Sequence, residues 1–197
     1  MTVHRYDPDI WVVTDALTHA ECTEFIGHGE ATGFEAATVA LRSGEQMRTD
    51  LRNNDRATVD DDALATELWQ RMKPFAPVEI DGFPATRLNP RFRFYRYESG
   101  QQFKRHLDGR VYLPTGEVSR VTLLFYLNGG CAGGETVFGD WGFSRGKSLR
   151  PEIRITPAVG SALFFTHELW HEGAPVTAGR KYVLRTDVMY AGAPDTR

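Results

Sequence analysis

From about residue 90 to residue 190 the chain is written in short apolar runs. "RFRFYRY" and "VTLLFYLN" alternate apolar and polar positions, and "ETVF", "EIRIT", "SALFF" and "KYVLRTDVMY" follow between Gly, Pro and Asn. A period of two puts successive side chains on opposite faces of a strand. Roughly seven or eight such runs at this spacing predict an antiparallel sandwich or jelly roll.

The first half reads differently. "IWVVTD" (10–15) is a short β-branched strand, and "LTHAECTEFIGHGEATG" is a helix opened by a capping box of Thr18 and Glu21, with Gly29 or Gly33 to end it. The stretch 43–62 is rich in Arg, Asn and Asp and reads as a long loop or an irregular hairpin. In "ALATELWQRMKP" (63–74), Leu64, Leu68 and Met72 fall at helical spacing before Pro74, giving an amphipathic helix. The expected class is α+β: one domain over 1–197, with a helical N-terminal part (about 1–88) packed on one sheet of a jelly-roll core (about 89–191).

Composition narrows the function. With 41% hydrophobic and 25% charged residues the chain is ordinary for a globular protein. A formal net charge of −3 supplies no basic surplus for nucleic acid or an anionic membrane. Cys22 and Cys131 form neither a disulfide framework nor a CxxC zinc pattern, and they read as free thiols of a reducing compartment. No apolar signal core opens the chain and no run reaches membrane-spanning length, so a cytoplasmic location and no membrane partner are expected.

One motif points the wrong way. "HELWH" (167–171) matches HExxH, whose two histidines hold zinc when they share a helical face. Here "VGSALFF" before it reads as a strand, and Gly173 and Pro175 after it oppose a helix. The segment therefore reads as a loop carrying histidines, not as a peptidase helix.

A second arrangement suits a metal better. His106 and Asp108, two apart on an extended segment, point the same way. With one distant histidine, His167 or His171, they would make a two-histidine, one-carboxylate triad that leaves iron positions open. In "GRKYVLRTDVMY", alternation puts Lys181, Val183 and Arg185 on one face and Arg180, Tyr182 and Leu184 on the other. A lysine buried on the inner face needs an anionic partner, which a bound carboxylate would supply.

With these residues in view, the sequence resembles the prolyl 4-hydroxylase-like branch of the Fe(II)/2-oxoglutarate oxygenases. "YRYESGQQFKRHLDG", "TLLFYLN", "GGETVF", "PAVGSALFF" and "HEGAPVTAGRKYVLRTDVMY" come in that family's order, covering residues 90–190 closely and the earlier helices loosely. The resemblance implies a double-stranded β-helix core. It implies Fe(II), 2-oxoglutarate as cosubstrate and O2, with ascorbate as a candidate stimulant. It selects His171 over His167, so that His106, Asp108 and His171 would bind iron. Lys181 would take the C5 carboxylate of 2-oxoglutarate, with Tyr126 adding a hydroxyl, Thr136 lining the same pocket and Tyr97 near the cosubstrate. Arg185 would share that carboxylate or pair with a barrel acid. The implied reaction releases succinate and CO2 and hydroxylates an unactivated C–H, and the retained Asp108 favours hydroxylation over halogenation.

The substrate is the open half of the reading. The family's peptidyl-prolyl members often carry an arginine seven residues before the tyrosine matched by Tyr126; here that position is Ser119, with Arg120 one later on the other strand face. A small-molecule or amino-acid-derived substrate is therefore expected ahead of a peptide. The loop 47–62 is expected over the barrel mouth, with Arg48, Arg52 and Arg56 as candidate carboxylate grips or as plain surface arginines. Trp141, beside Arg145 and Lys147, and Trp170 are further candidates for the lip of the site.

Overall fold

The computed structural model describes residues 1–41, 44–139 and 151–192. Trp141, Arg145 and Lys147 lie outside the described residues. The protein is mostly β-sheet with few helices.

A ten-stranded sheet forms the frame. Its main path runs Thr2–Asp7, Ile10–Thr14, Ala162–Thr166, Val118–Tyr126, Lys181–Tyr190, Arg91–Tyr97, Asp55–Asp60 and Glu35–Ala36, with Phe83–Leu88 branching from Lys181–Tyr190 and Glu79–Ile80 beside it. All these pairings are antiparallel. A smaller sheet of four strands, Phe103–His106, His171–Gly173, Thr136–Phe138 and Ile153–Ile155, faces it.

The period-two pattern sorts the core. On one face of the large sheet, Phe92, Phe94, Val121, Leu123, Phe125, Leu184 and Val188 join a buried apolar cluster. The opposite faces of the same strands give Tyr95, Tyr97, Tyr126 and Val183 to a second cluster, closed by Phe138 and Ile155 of the small sheet. Strands buried on both faces lose strict alternation, which is why Phe94 and Tyr95 are adjacent and both buried.

Two α-helices contribute to the first cluster. Helix α1 (His19–Thr32) opens with the expected capping box: Thr18 Oγ1 accepts from the Glu21 amide at 3.2 Å, and Glu21 Oε2 accepts from the Thr18 amide at 2.7 Å. Such a cap is worth about 1 kcal/mol. Helix α2 (Asp62–Met72) is capped by Asp61, whose Oδ1 accepts from the Leu64 amide at 2.9 Å. It buries Ala65, Leu68, Trp69 and Met72. Full burial of such side chains stabilises by about 1.5–3 kcal/mol each.

Two expectations for the first half need correction. Residues 1–88, expected as a helical part, contribute eight strands among the described residues, because alternating segments such as Asp55–Asp60 and Phe83–Leu88 pair with the core beside the expected strand Ile10–Thr14. The stretch 43–62, expected as a long loop or an irregular hairpin, holds a short hairpin arm and also a strand that the expectation lacked. Gly44–Gln46 pairs with Val39–Leu41 as a short hairpin arm, and Asp55–Asp60 is a full strand against Arg91–Tyr97. Its polar side chains had masked a strand that meets arginines: Arg91 pairs with Asp60 at 2.9 Å, and Arg96 with Asp55 at 3.0 Å.

Candidate active site

The sheet registers bring the sequence candidates together. Phe103–His106 and His171–Gly173 run antiparallel with His106 directly opposite His171. Directly opposed residues are nearest neighbours across a ladder, and the two imidazole centroids lie 4.2 Å apart. The first strand ends at His106, so Asp108 sits just past it in irregular backbone. Asp108 Oδ1 is 3.8 Å from His106 Nε2, and Oδ2 is 3.7 Å from His171 Nε2. Ligand atoms of all three lie within 4.8 Å of one another.

Both rings are oriented from behind. The Nδ1 of His106 lies 2.8 Å from the Lys104 carbonyl oxygen, and that of His171 lies 3.0 Å from the Leu169 carbonyl oxygen. A carbonyl can only accept, so Nδ1 carries the proton and Nε2 keeps the lone pair facing Asp108. Burial, and for His106 the neighbouring His171, hold their pKa values below the ordinary histidine range, so the neutral, ligating form is favoured. Phe103 stacks on His106 with centroids 3.5 Å apart.

Asp108 is held as a carboxylate. Burial pushes its pKa up, but Arg185 and the imidazoles outweigh this and leave it below the usual range. Thr122 Oγ1 donates to Oδ2 at 2.6 Å, and Arg185 Nη1 lies 2.7 Å from Oδ1. Arg185 continues to Asp187 at 3.1 Å, so its guanidinium is committed to two acids. Of the two roles open to Arg185, the structure has it paired with acids of the barrel. Thr122 escaped the sequence reading, although alternation from Tyr126 through Leu124 points to it.

HELWH is not a helix. It spans a turn after Ala162–Thr166 and the start of His171–Gly173. His167 is equally buried but does not line the pocket, and its Nε2 lies 3.5 Å from Asp187 Oδ1.

The pocket that His106, Asp108 and His171 line also touches Tyr97, Thr136, Lys181 and Arg185. Lys181 is 3% exposed. Its Nζ donates to the Gly134 carbonyl at 2.6 Å and lies over the rings of Tyr97 and Tyr126 at 5.2 and 5.5 Å. No carboxylate among the described residues is within ion-pair distance of it. Burial pushes its pKa down to about 8. Gly133 and Gly134 both adopt positive φ, +71° and +74°, where a Cβ would be strained; one on Gly134 would also crowd Lys181 Cδ at 3.2 Å. This is what the GG of "GGETVF" does: it folds the backbone so that a carbonyl meets the lysine.

Tyr126 is fully buried behind the pocket, its hydroxyl 2.7 Å from Thr136 Oγ1. Burial raises the pKa of Tyr126 well above the ordinary phenol value and that of Tyr97 to about 12, so both stay protonated.

The remaining candidates scatter. Arg48 pairs with Asp50 at 2.7 Å on the surface. Arg56 is on the strand Asp55–Asp60, its Nη2 donating to Thr38 Oγ1 at 3.0 Å. Trp170 is half-buried beside His171 and does not line the pocket. Arg52, expected on a surface loop, is only 4% exposed and is clasped by Tyr95 and Phe103, which do line the pocket.

The site fits Fe(II) and a dicarboxylate on its own terms. Two neutral imidazoles and one carboxylate converge with open space before them, and a buried ammonium without an acidic partner stands in the same pocket.

Comparison with known proteins agrees. Residues 92–186 match the model of the 2OG-Fe(II) oxygenase superfamily. The chain is 24% identical over 202 residues to the probable prolyl 4-hydroxylase 4 of Arabidopsis thaliana, and 26% identical over 203 residues to prolyl 4-hydroxylase 2 of the same plant. Each match covers 89% of this chain and 65% of the relative, so the chain spans about two thirds of those proteins' length. Among solved structures, a viral collagen prolyl hydroxylase from Paramecium bursaria Chlorella virus-1, in complex with 2OG, aligns with a TM-score of 0.61 at 19% identity, covering 93% of this chain and 96% of the other. A prolyl hydroxylase from Trichoplax adhaerens, solved with a hypoxia inducible factor peptide fragment, aligns at 0.64 and 17% identity, covering 91% and 83%. The match over residues 92–186 and these relatives support a prolyl 4-hydroxylase-like 2OG-Fe(II) oxygenase.

Proposed function

We propose that this chain is an Fe(II)- and 2-oxoglutarate-dependent dioxygenase, folded as one jelly-roll oxygenase domain. Its reaction is hydroxylation of an unactivated C–H of a small molecule or amino-acid-derived substrate, with release of succinate and CO2. The observation that carries the proposal is the shared pocket: three convergent ligand atoms and, in the same space, a buried lysine that lacks an acid.

His106, Asp108 and His171 would hold the iron, which supplies oxygen activation coupled to decarboxylation of 2-oxoglutarate. The chain's own contribution is placement. The Lys104 and Leu169 carbonyls fix the two imidazole tautomers. Thr122 and Arg185 keep Asp108 ionised and aimed. Lys181 would receive the far carboxylate of 2-oxoglutarate, with the Thr136–Tyr126 hydroxyl pair beside it. Phe165, Leu124 and Val183 would exclude water from the reacting space.

The second reading is peptidyl-prolyl 4-hydroxylation, favoured by the names of the relatives. Against it stand Ser119, whose Oγ accepts from the Val111 amide, and Arg120, whose guanidinium is bound to Asp81 at 2.8 Å and stacked over Phe83. Neither offers a free arginine to a peptide.

The test is anaerobic titration with Fe(II) and 2-oxoglutarate, read by the weak visible charge-transfer band, beside His171→Ala and Lys181→Ala. The band is expected in wild type, absent in His171→Ala, and formed only at much higher 2-oxoglutarate in Lys181→Ala. No band under any loading overturns the proposal. A succinate-release screen over amino acids and proline-rich peptides then separates the two substrate classes.

A further inference from the structure

We propose that Arg52 is a specificity-determining residue that receives a carboxylate of the substrate. This rests on the oxygenase reading of the site and names the substrate's chemistry.

Arg52 is a buried cation without an acid. It is 4% exposed, and no carboxylate among the described residues is within ion-pair distance. Its Nε donates to the neutral amide oxygen of Asn54 at 2.7 Å, while its Nη2 is buried with no acceptor. Burying a guanidinium this way is costly unless a partner arrives. The other cations around the pocket are accounted for. Arg185 meets Asp108 and Asp187, Arg93 meets Asp187, and Lys181 has its role with the cosubstrate. Arg52 alone remains unmatched among them.

Its place is built. The guanidinium lies between the rings of Tyr95 and Phe103, at 4.5 and 4.4 Å, and both rings line the pocket. On its far side Phe103 stacks on His106. The backbone is pinned on both flanks: the Lys104 amide donates to the Leu51 carbonyl at 2.8 Å, and the Gln102 amide to Asn53 Oδ1 at 2.7 Å. Arg52 itself bridges Phe103 across this short ladder. A guanidinium fixed before the ligand arrives loses little further freedom on binding, and its planar fork suits a carboxylate. One ring away from a metal ligand, it would anchor the substrate with the target carbon turned toward the iron.

The experiment uses the protein loaded anaerobically with Fe(II) and 2-oxoglutarate. The common L-amino acids are titrated in, each as the free acid and as its primary amide, and perturbation of the charge-transfer band reports binding. At least one acid is expected to bind on the order of ten- to a hundredfold more tightly than its amide, the span of a hydrogen bond to a charged group. Arg52→Gln is expected to erase that preference and leave 2-oxoglutarate affinity within about threefold; Arg52→Lys keeps part of it. A residue that merely propped Phe103 and His106 would alter the band itself and weaken acid and amide alike. The inference is overturned if acid and amide bind equally, if no acid binds while the band is intact, or if Arg52→Gln keeps the preference. The acid–amide comparison in wild type needs no variant to fold. A missing band in wild type instead overturns the oxygenase reading, and this inference with it.

Discussion

The two faces of the Lys181–Tyr190 strand share one backbone and divide the work of the protein. Outward, Tyr182, Leu184, Val188 and Tyr190 sit in the apolar cluster to which α1 and α2 contribute. Inward, Lys181, Val183 and Arg185 line the pocket and Asp187 lies beyond them, fully buried. The outer face gains stability from area removed from water. The inner face spends part of it, since each buried charge must find a partner or lower the stability of the empty protein. The contrast teaches that this sheet is stabilised from one side so that the other can stay poised for ligands.

The comparison breaks most visibly on the outer side. Phe125→Ala, at a fully buried position of the outer cluster, is expected to destabilise by about 3–5 kcal/mol in chemical denaturation. Affinity for 2-oxoglutarate in the surviving folded protein should stay within about threefold.

An inner substitution of similar size should behave otherwise. Arg185→Leu leaves Asp108 without its cation and Asp187 with Arg93 alone, a loss of about 3–5 kcal/mol, and should weaken iron binding as well. Replacing Asp187 by Leu in the same protein should recover part of the stability, because the two changes act on one network. Additive losses would show that the residues are not coupled.

Lys181→Met sharpens the contrast with an opposite sign. Removing a buried ammonium that has no acidic partner should stabilise the empty protein by about 1–3 kcal/mol near neutral pH while raising the Kd for 2-oxoglutarate on the order of a hundredfold. A variant that is both less stable and unaltered in binding would contradict the assignment.

The smallest effect is a pH slope. Burial pushes the Lys181 ammonium down to about 8 from the ordinary lysine value of 10.5, so between these values the unfolded chain binds the proton that the folded one has released. Stability of the empty wild type should therefore rise with pH across that window, by up to roughly 3 kcal/mol, and the rise should vanish in Lys181→Met. The sign for ligand is reversed: in the proposed role of Lys181 the ammonium receives the 2-oxoglutarate carboxylate, so affinity should fall as pH climbs above about 8.

Much of this was legible before any fold was drawn. The capping box of Thr18 and Glu21, the apolar spacing of α2 and the alternation that puts Lys181 beside Arg185 are local facts, set by the helical and strand periods. The rejection of HELWH as a helix also followed from neighbours in sequence. Asp55–Asp60 was missed because its polar side chains hide a strand whose partners, Arg91 and Arg96, lie 31 and 41 residues away.

What the sequence determined by itself was therefore the inventory: which residue types are present, which share a face, and which segments are too short or too broken to be helices. The tertiary structure decided the assignments. Register alone sets His106 opposite His171 and leaves His167 against Asp187. Packing alone buries Arg52 between two pocket rings and leaves Lys181 facing a carbonyl instead of an acid. The physical reason is range. Periodicity acts over a few residues, whereas pairing and burial can join positions 152 apart, and whether a charge is satisfied depends on the neighbours that those long-range contacts deliver.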